Sequence, residues 1–176
     1  MLTEVELRNY RFQFQESAYK ALTKSSAEVS IFLSHSHKDR DLVEGFINYL
    51  ANSIKIKIYV DWQDSDMPTV TNRETAHRIK NKIHDMNYFL VLATKNAMNS
   101  KWVPWEIGIA DQTKPIDKIA IIPIADPEGK FHGNEYLQLY PHVEPGTLKS
   151  TGEKVLAIFD DREETGTNIR YWLTHQ

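Results

Sequence analysis

The chain has 176 residues and a formal net charge of −3, and it contains no cysteine. This length suits one domain with a hydrophobic core, and the lack of cysteine excludes disulfides, thiolate nucleophiles and zinc–cysteine sites. Dispersed charges argue against a nucleic-acid partner, and the absence of a long apolar run or a signal-peptide pattern argues against a membrane partner or secretion. We therefore expect a soluble cytoplasmic protein.

Two patterns of apolar residues alternate along the chain. Compact apolar runs predict strands buried on both faces, at 29–33, 56–60, 88–93, 118–124 and 155–159. Helical spacing predicts helices at 4–24, 42–50, from 71, from 103 and at 168–173. This alternation predicts an α/β, flavodoxin-like doubly wound fold, with about five mainly parallel strands, helices on both faces and an added N-terminal helix. Ligands of such folds bind at the carboxyl ends of the strands.

Three helix starts carry recognisable sequence signals. Asp39 is expected to cap the helix after the first strand. Thr71-Asn72-Arg73-Glu74 has the pattern of a capping box. Ser100 or a neighbour is expected to cap the helix near 103, with Pro104 in its first turn.

The stretch from Trp102 to Glu106 places a carboxylate between two indoles. A helix start explains Pro104 and an acid in the first turn, but it does not explain two tryptophans. Aromatic walls hold planar rings, and by desolvation they raise the pKa of a neighbouring acid. The pattern therefore slightly favours a functional site at Glu106 over an ordinary helix start.

The polar loop after the first strand, Ser34-His35-Ser36-His37-Lys38-Asp39, has two interpretations. One is structural, with the serines satisfying backbone groups at the strand end. The other is a metal site, because His35-x-His37-x-Asp39 loosely resembles the zinc motif of metallo-β-lactamase-type hydrolases. Arg40 stands where that motif needs another histidine, so no metal site is predicted.

Asp61-Trp62 ends the second strand, and two interpretations stay open there as well. The indole is either a partly buried structural side chain or a stacking surface for an adenine or nicotinamide ring. Neither Gly-x-Gly-x-x-Gly nor a P-loop occurs in the chain. A bound nucleotide would therefore not sit in a classical phosphate cradle.

Taken together, these three strand-end motifs closely resemble the TIR (Toll/interleukin-1 receptor) domain, and bacterial NAD-consuming members most of all. The likeness covers about 29–125 and implies a TIR domain over 28–176, with 1–27 as a helical extension for packing or self-association. It implies that Glu106 is catalytic and that the loop over 63–70 shapes the pocket and mediates assembly. The substrate-binding residues it implies are Ser34, His35, Ser36, Asp61, Trp62, Ser100 and Trp102, while Trp105 is assigned to the core.

The resemblance also implies a reaction, namely cleavage of the nicotinamide–ribose bond of NAD, which is then a substrate and not a cofactor. The product would be ADP-ribose, a cyclic ADP-ribose isomer or a conjugate. It would act as a signalling nucleotide on a separate effector, as in Thoeris-like antiphage systems. Self-assembly through TIR–TIR contacts is expected.

Two alternatives remain beside this expectation. One is a non-catalytic TIR adaptor that acts by homotypic contacts. The more remote one is a metal hydrolase using His35, His37 and Asp39.

Overall fold

The computed structural model describes residues 1–11, 29–51, 57–63, 72–160 and 165–175. The strands of this part of the chain are β1 Leu2–Thr3, β2 Ser30–Ser34, β3 Lys57–Tyr59, β4 Tyr88–Ala93, β5 Ile119–Ala125, β6 His142–Thr147, β7 Lys154–Phe159 and β8 Thr167–Asn168. The α-helices are α1 Glu4–Arg11, α2 Arg40–Ala51, α3 Arg73–Asp85, α4 Lys95–Met98, α5 Val103–Thr113 and α6 Ile169–Thr174. Short 3₁₀ turns occupy His37–Asp39, Asp61–Gln63, Ile116–Lys118 and Glu135–Leu139.

The strands form one sheet in the order β3-β2-β4-β5-β6-β7-β8, and β1 also pairs with β5. Pairing is parallel from β3 to β6 and antiparallel from β6 to β8. Strand β3 lies on one side of β2, and the next strand in the chain, β4, lies on the other side. The strand order therefore reverses between β2 and β4, which is the switch point of the sheet. The predicted flavodoxin-like fold is confirmed, and a crevice is expected at the carboxyl ends of β2 and β4.

Two hydrophobic clusters cover the two faces of the sheet, because successive strand residues point to opposite sides. On one face, α1, α2 and α6 pack on strand residues that include Ile31, Leu33 and Leu90. On the other face, α3 and α5 pack on strand residues that include Phe32 and Phe89. The predicted helices on both faces are therefore present.

All five predicted strands are found, but the C-terminal half also holds two strands that the sequence pattern does not predict, β6 and the two-residue β8. Strand β6 contains Glu144, Pro145 and Gly146 and lacks a continuous apolar run. Antiparallel pairing with β7 over six residue pairs stabilises it instead of burial on both faces.

The amino-terminal segment is joined to the sheet and to α2. Strand β1 pairs in parallel with Ile124 and Ala125 of β5. Helix α1 buries Leu7 completely and accepts a hydrogen bond of 2.7 Å from Asn48 of α2 at the carbonyl of Tyr10. The rest of the helix predicted for 4–24 lies outside the described residues.

The predicted capping box is wrong by one residue. Asn72 is the N-cap of α3 and exchanges hydrogen bonds with Thr75, because the helix begins at Arg73. Thr71 and most of the predicted 63–70 loop lie outside the described residues. Within the described ranges, no helix is both long enough and apolar enough to cross a membrane.

Candidate functional site

Glu106 is buried in the first turn of α5, next to the carboxyl end of β2. Its side chain accepts a hydrogen bond of 2.5 Å from the hydroxyl of Ser34, the last residue of β2. Glu106 is 5% exposed and Ser34 is 1% exposed. A carboxylate with almost no solvent contact is thus held at the switch point of the sheet.

This environment changes the acidity of Glu106 strongly. Burial raises the pKa of Glu106 to about 7, although the hydrogen bond from Ser34 opposes the rise. The negative charge of Asp61 raises the pKa further, while His35 and His37 lower it. The group therefore changes charge near neutral pH, which is unusual for a carboxyl group and typical of functional sites.

A second carboxylate, Asp61, lies between two histidines at the ends of β2 and β3. Its Oδ2 lies 2.5 Å from Nε2 of His37, and its Oδ1 lies 3.4 Å from Nε2 of His35. Its Oδ1 also accepts a hydrogen bond of 2.7 Å from the backbone N–H of Trp62. Burial alone would raise the pKa of Asp61, but the two imidazoles outweigh it and hold that pKa well below its usual range.

The two carboxyl groups are therefore driven in opposite directions. Asp61 stays ionised, whereas Glu106 gains a proton near pH 7. Two neighbouring acids with separated pKa values can serve separate roles, one as a fixed charge and one as a group that titrates.

The rings of His35 and Trp62 pack against each other beside these two acids. Their rings meet edge to face with centroids 4.4 Å apart, and Arg40 lies 5.8 Å from the centroid of the indole. Nδ1 of His35 lies 2.8 Å from the carbonyl of Leu33, which orients the ring. Within the described part of the chain, the buried Nε2 of His35 and Nε1 of Trp62 have no hydrogen-bond partner. Buried polar atoms are normally paired. Nε2 of His35 faces Asp61 at 3.4 Å, so the indole N–H of Trp62 is the candidate for contact with a ligand.

Asp39 has a different role from the predicted helix cap. One carboxylate oxygen accepts a hydrogen bond of 2.5 Å from Thr94, and the other accepts one of 2.6 Å from Asn96. Asp39 is 2% exposed, and Ser36 is the N-cap of the short turn that contains it. The loops after β2 and β4 are thereby joined through buried hydrogen bonds.

This geometry separates the three side chains of the metal-hydrolase alternative. His37 contacts Asp61, whereas Asp39 contacts Thr94 and Asn96. Among the described residues, no group of three histidine or acidic side chains is arranged to hold a metal ion.

Three other predicted binding residues lie around this centre, and among the described contacts none of their side chains bonds to the carboxylate of Glu106. The backbone carbonyl of Trp102 accepts a hydrogen bond of 2.9 Å from the N–H of Glu106. The hydroxyl of Ser36 accepts a hydrogen bond from the N–H of Lys38. The hydroxyl of Ser100 accepts from the N–H of Trp102 at 3.1 Å, but the N-cap of α5 is Trp102 and it makes no side-chain capping bond, so the predicted side-chain cap is not found. The half-buried ring of Trp102 meets Trp105 edge to face, with centroids 5.1 Å apart, and both pack on the α3–α5 face.

Sequence reasoning missed the pairing of His37 with Asp61 and the contacts of Thr94 and Asn96 with Asp39. Thr94 and Asn96 directly follow β4, so they share the edge where the predicted site lies. A search for polar side chains at every strand end would have found them.

Comparison with known proteins assigns most of this chain to a family. The family model described as the TIR domain matches residues 31–145. The chain is 31% identical over 162 residues to a Bacillus cereus (strain MSX-D12) protein named "Probable 3' cyclic ADP-D-ribose synthase ThsB'", covering 90% of this chain and 81% of that protein.

Two further proteins show more distant likeness. A Methanobrevibacter olleyae protein named "Probable 2' cyclic ADP-D-ribose synthase TcpO" is 28% identical over 124 residues, which cover 68% of this chain and 35% of that protein. A solved prokaryotic SEFIR domain is 15% identical, with a TM-score of 0.46, covering 62% of this chain and 77% of that structure. The family match over more than half of the chain decides the assignment: the chain belongs to the TIR domain family.

Proposed function

We propose that this chain cleaves the nicotinamide–ribose bond of NAD and closes the ADP-ribose part into a cyclic isomer, which acts as a signalling nucleotide. The observation that carries the proposal is the buried Glu106, held by Ser34 at the ligand-binding edge of the sheet. The names of the two relatives, both cyclic ADP-D-ribose synthases, support the choice of product class.

The chemistry of NAD suits a site with one buried carboxylate. Nicotinamide leaves as a neutral ring when the bond to ribose breaks, so the positive charge moves onto the ribose. An ionised Glu106 beside this sugar would stabilise the cation in a poorly solvated site, where a fixed charge acts most strongly. Ser34 would keep the carboxylate in position.

The aromatic side chains would place the rings of the substrate. Trp62 is oriented by its contact with His35 and presents an unpaired indole N–H among the described residues. Trp102 lies one helical turn before Glu106 and therefore projects on the same side of the chain. Walls of this kind exclude water, which favours capture of the cation by a group of the substrate itself.

The same proposal places the chain in a signalling pathway. Self-assembly through TIR–TIR contacts would complete or activate the site, and the cyclic nucleotide would reach a separate effector protein, as in Thoeris-like antiphage defence. NAD is a cytoplasmic dinucleotide, so a cytoplasmic location follows from the proposed substrate.

The test is incubation of concentrated pure protein with NAD, followed by separation of nicotinamide, ADP-ribose and cyclic products. Wild type is compared with Glu106→Gln and with Glu44→Gln, a matched control whose half-buried carboxylate pairs with Arg11 and Arg40 of the amino-terminal face. Loss of one electrostatic group of this kind lowers turnover about 10²–10³-fold, and we expect that loss for Glu106→Gln alone. Equal turnover of Glu106→Gln and wild type would show that Glu106 is not the catalytic residue. Absence of turnover from the wild type would overturn the proposal and favour the non-catalytic adaptor.

A further inference from the structure

His37 and Asp61 form a pair in which the acid fixes the orientation of the imidazole. Nε2 of His37 lies 2.5 Å from Oδ2 of Asp61, and the carboxylate side chain is 15% exposed. Because an ionised carboxylate only accepts hydrogen bonds, Nε2 of His37 carries the proton. In the neutral ring, Nδ1 then keeps its lone pair.

That lone pair is available at the rim of the site. The side chain of His37 is 73% exposed, and Nδ1 has no hydrogen-bond partner among the described residues. His37 follows β2, Asp61 follows β3, and Glu106 is electrostatically coupled to both of them. An imidazole held by an acid, with its second nitrogen free, has the arrangement of a general base.

Formation of a cyclic product through a ribose hydroxyl requires such a base. A hydroxyl that attacks the sugar cation must lose its proton, whereas the buried Glu106 has to stay ionised to stabilise the developing charge. The second acid, Asp61, is committed to His35 and His37. Among the described groups of this cluster, His37 is the one with an accessible lone pair.

We propose that His37, oriented by Asp61, is the general base that deprotonates a hydroxyl of the adenosine ribose of NAD, and that it thereby directs the reaction to a cyclic product instead of ADP-ribose. The inference rests on the proposed function. In the step, the bond between nicotinamide and the ribose carbon breaks, and its electron pair returns to the nicotinamide nitrogen. The hydroxyl oxygen forms a bond to that carbon, and its proton moves to Nδ1 of His37.

The charges around His37 predict the pH dependence of the product ratio. The hydrogen bond from His37 to Asp61 raises the pKa of the histidine, and the negative charge of Glu106 acts in the same direction. Partial burial opposes this rise, and the ring of His35 lies 6.1 Å away. Since only the neutral ring accepts a proton, the ratio of cyclic product to ADP-ribose rises with pH.

The experiment compares His37→Gln with wild type and with His84→Gln. A glutamine amide reaches the position of Nε2 and still donates to Asp61, but it offers no basic nitrogen. His84 is a matched control, because it is 74% exposed and contacts Asp85 at 3.3 Å at the far end of α3. Nicotinamide, ADP-ribose and each cyclic isomer are quantified separately across pH, and thermal unfolding verifies that each variant is folded.

We expect His37→Gln to lower the rate of cyclic product formation by about 10²-fold or more, the usual contribution of a general base. Nicotinamide release should fall by a smaller factor because water still captures the cation, so the product ratio shifts to ADP-ribose and no longer changes with pH. The control should keep the wild-type ratio. As a second variant, Asp61→Asn should also lower the ratio, because an amide can hold the wrong tautomer of His37.

Each other outcome is decisive. A wild-type product ratio in His37→Gln overturns the assignment of the base while nicotinamide release still supports the proposed function. A wild-type protein that makes only ADP-ribose also overturns it. Absence of nicotinamide release from the wild type overturns the proposed function itself, and the inference with it.

Discussion

The hydroxyl of Ser34 and the carboxylate of Glu106 lie 2.5 Å apart, although 72 residues separate them in the chain. The bond joins the end of β2 to the first turn of α5, across the switch point of the sheet. It is also the largest influence that lowers the pKa of Glu106, since burial acts in the opposite direction.

Replacement of Ser34 by alanine should therefore move the pH dependence of activity. Wild-type kcat/KM is expected to rise as Glu106 ionises through its pKa of about 7. Without the hydrogen bond, ionisation is less favourable, so the midpoint of the profile shifts to higher pH in Ser34→Ala. Ser30→Ala is the control, because Ser30 lies on the same strand but contacts Asn87 at its opposite end. A midpoint that stays in place would show that Ser34 does not tune Glu106.

Glu106→Gln should make the fold more stable at high pH while it removes activity. The pKa of Glu106 is about 7 in the folded chain and 4.5 in an unfolded one, so between these values only the folded chain holds the proton. Stability of the wild type therefore falls as pH rises through this window, whereas the glutamine variant has no such loss. The gain should reach on the order of 3 kcal/mol above pH 7 and vanish near pH 4.5.

Denaturant unfolding of both proteins from pH 4.5 to pH 8 measures this difference. Asp61 stays ionised in both folded proteins over this range, because the two histidines hold its pKa well below the usual value. Glu44→Gln is the control, because the carboxylate of Glu44 pairs with Arg11 and Arg40. A Glu106→Gln variant that is less stable than wild type at pH 8 would contradict the burial of an ionisable acid at this position.

Trp102 and Trp105 should differ in their effects on substrate binding. Trp102 lies one turn before Glu106, whereas Trp105 is covered on its outer side by Lys80, at 5.6 Å from its centroid. Loss of one ring contact is worth about 1 kcal/mol, so Trp102→Ala should raise KM for NAD about fivefold. Lys80→Ala removes the cation over Trp105 and should leave KM unchanged. Steady-state kinetics with NAD measure both KM values. An unchanged KM in Trp102→Ala would show that Trp102 is not part of the binding surface.

Two helical glycines should respond in opposite ways to alanine. A Cβ at Gly45 of α2 would lie 2.0 Å from the carbonyl oxygen of Leu7, because α1 crosses α2 at that point. Gly45→Ala should therefore destabilise the fold by roughly 1–3 kcal/mol. A Cβ at Gly108 of α5 meets nothing within 4 Å, so Gly108→Ala should stabilise by roughly 0.5–1 kcal/mol through helix propensity. Thermal unfolding measures both, and a stable Gly45→Ala would show that α1 does not pack closely on α2.

The sequence was most informative where local patterns decide the structure. Residues 88–93 are apolar throughout, and all six are buried in the central strand β4. Strand β6 escaped prediction because it is stabilised by partners that lie later in the chain. The predicted capping box begins one residue too early, at Thr71 instead of Asn72. Both side chains are good helix caps, so the sequence alone does not decide between them.

The candidate site, too, could be predicted from the sequence only in part. Glu106 and the strand-end loops were found because the carboxyl ends of parallel strands meet at one edge. The contact of His37 with Asp61 depends on which strand lies beside β2, and neither composition nor spacing reveals that neighbour. The raised pKa of Glu106 was anticipated from the indoles, and its largest cause is the burial of the side chain.

The two hydrogen bonds that Asp39 accepts from Thr94 and Asn96 have a consequence for local unfolding. Opening either rim loop would leave a buried carboxylate without its donors, which costs several kcal/mol. The amides around the ends of β2 and β4 are thus expected to exchange with solvent as one cooperative unit. Ser34, at the end of β2, would keep its place relative to Glu106 even while more peripheral parts of the fold fluctuate.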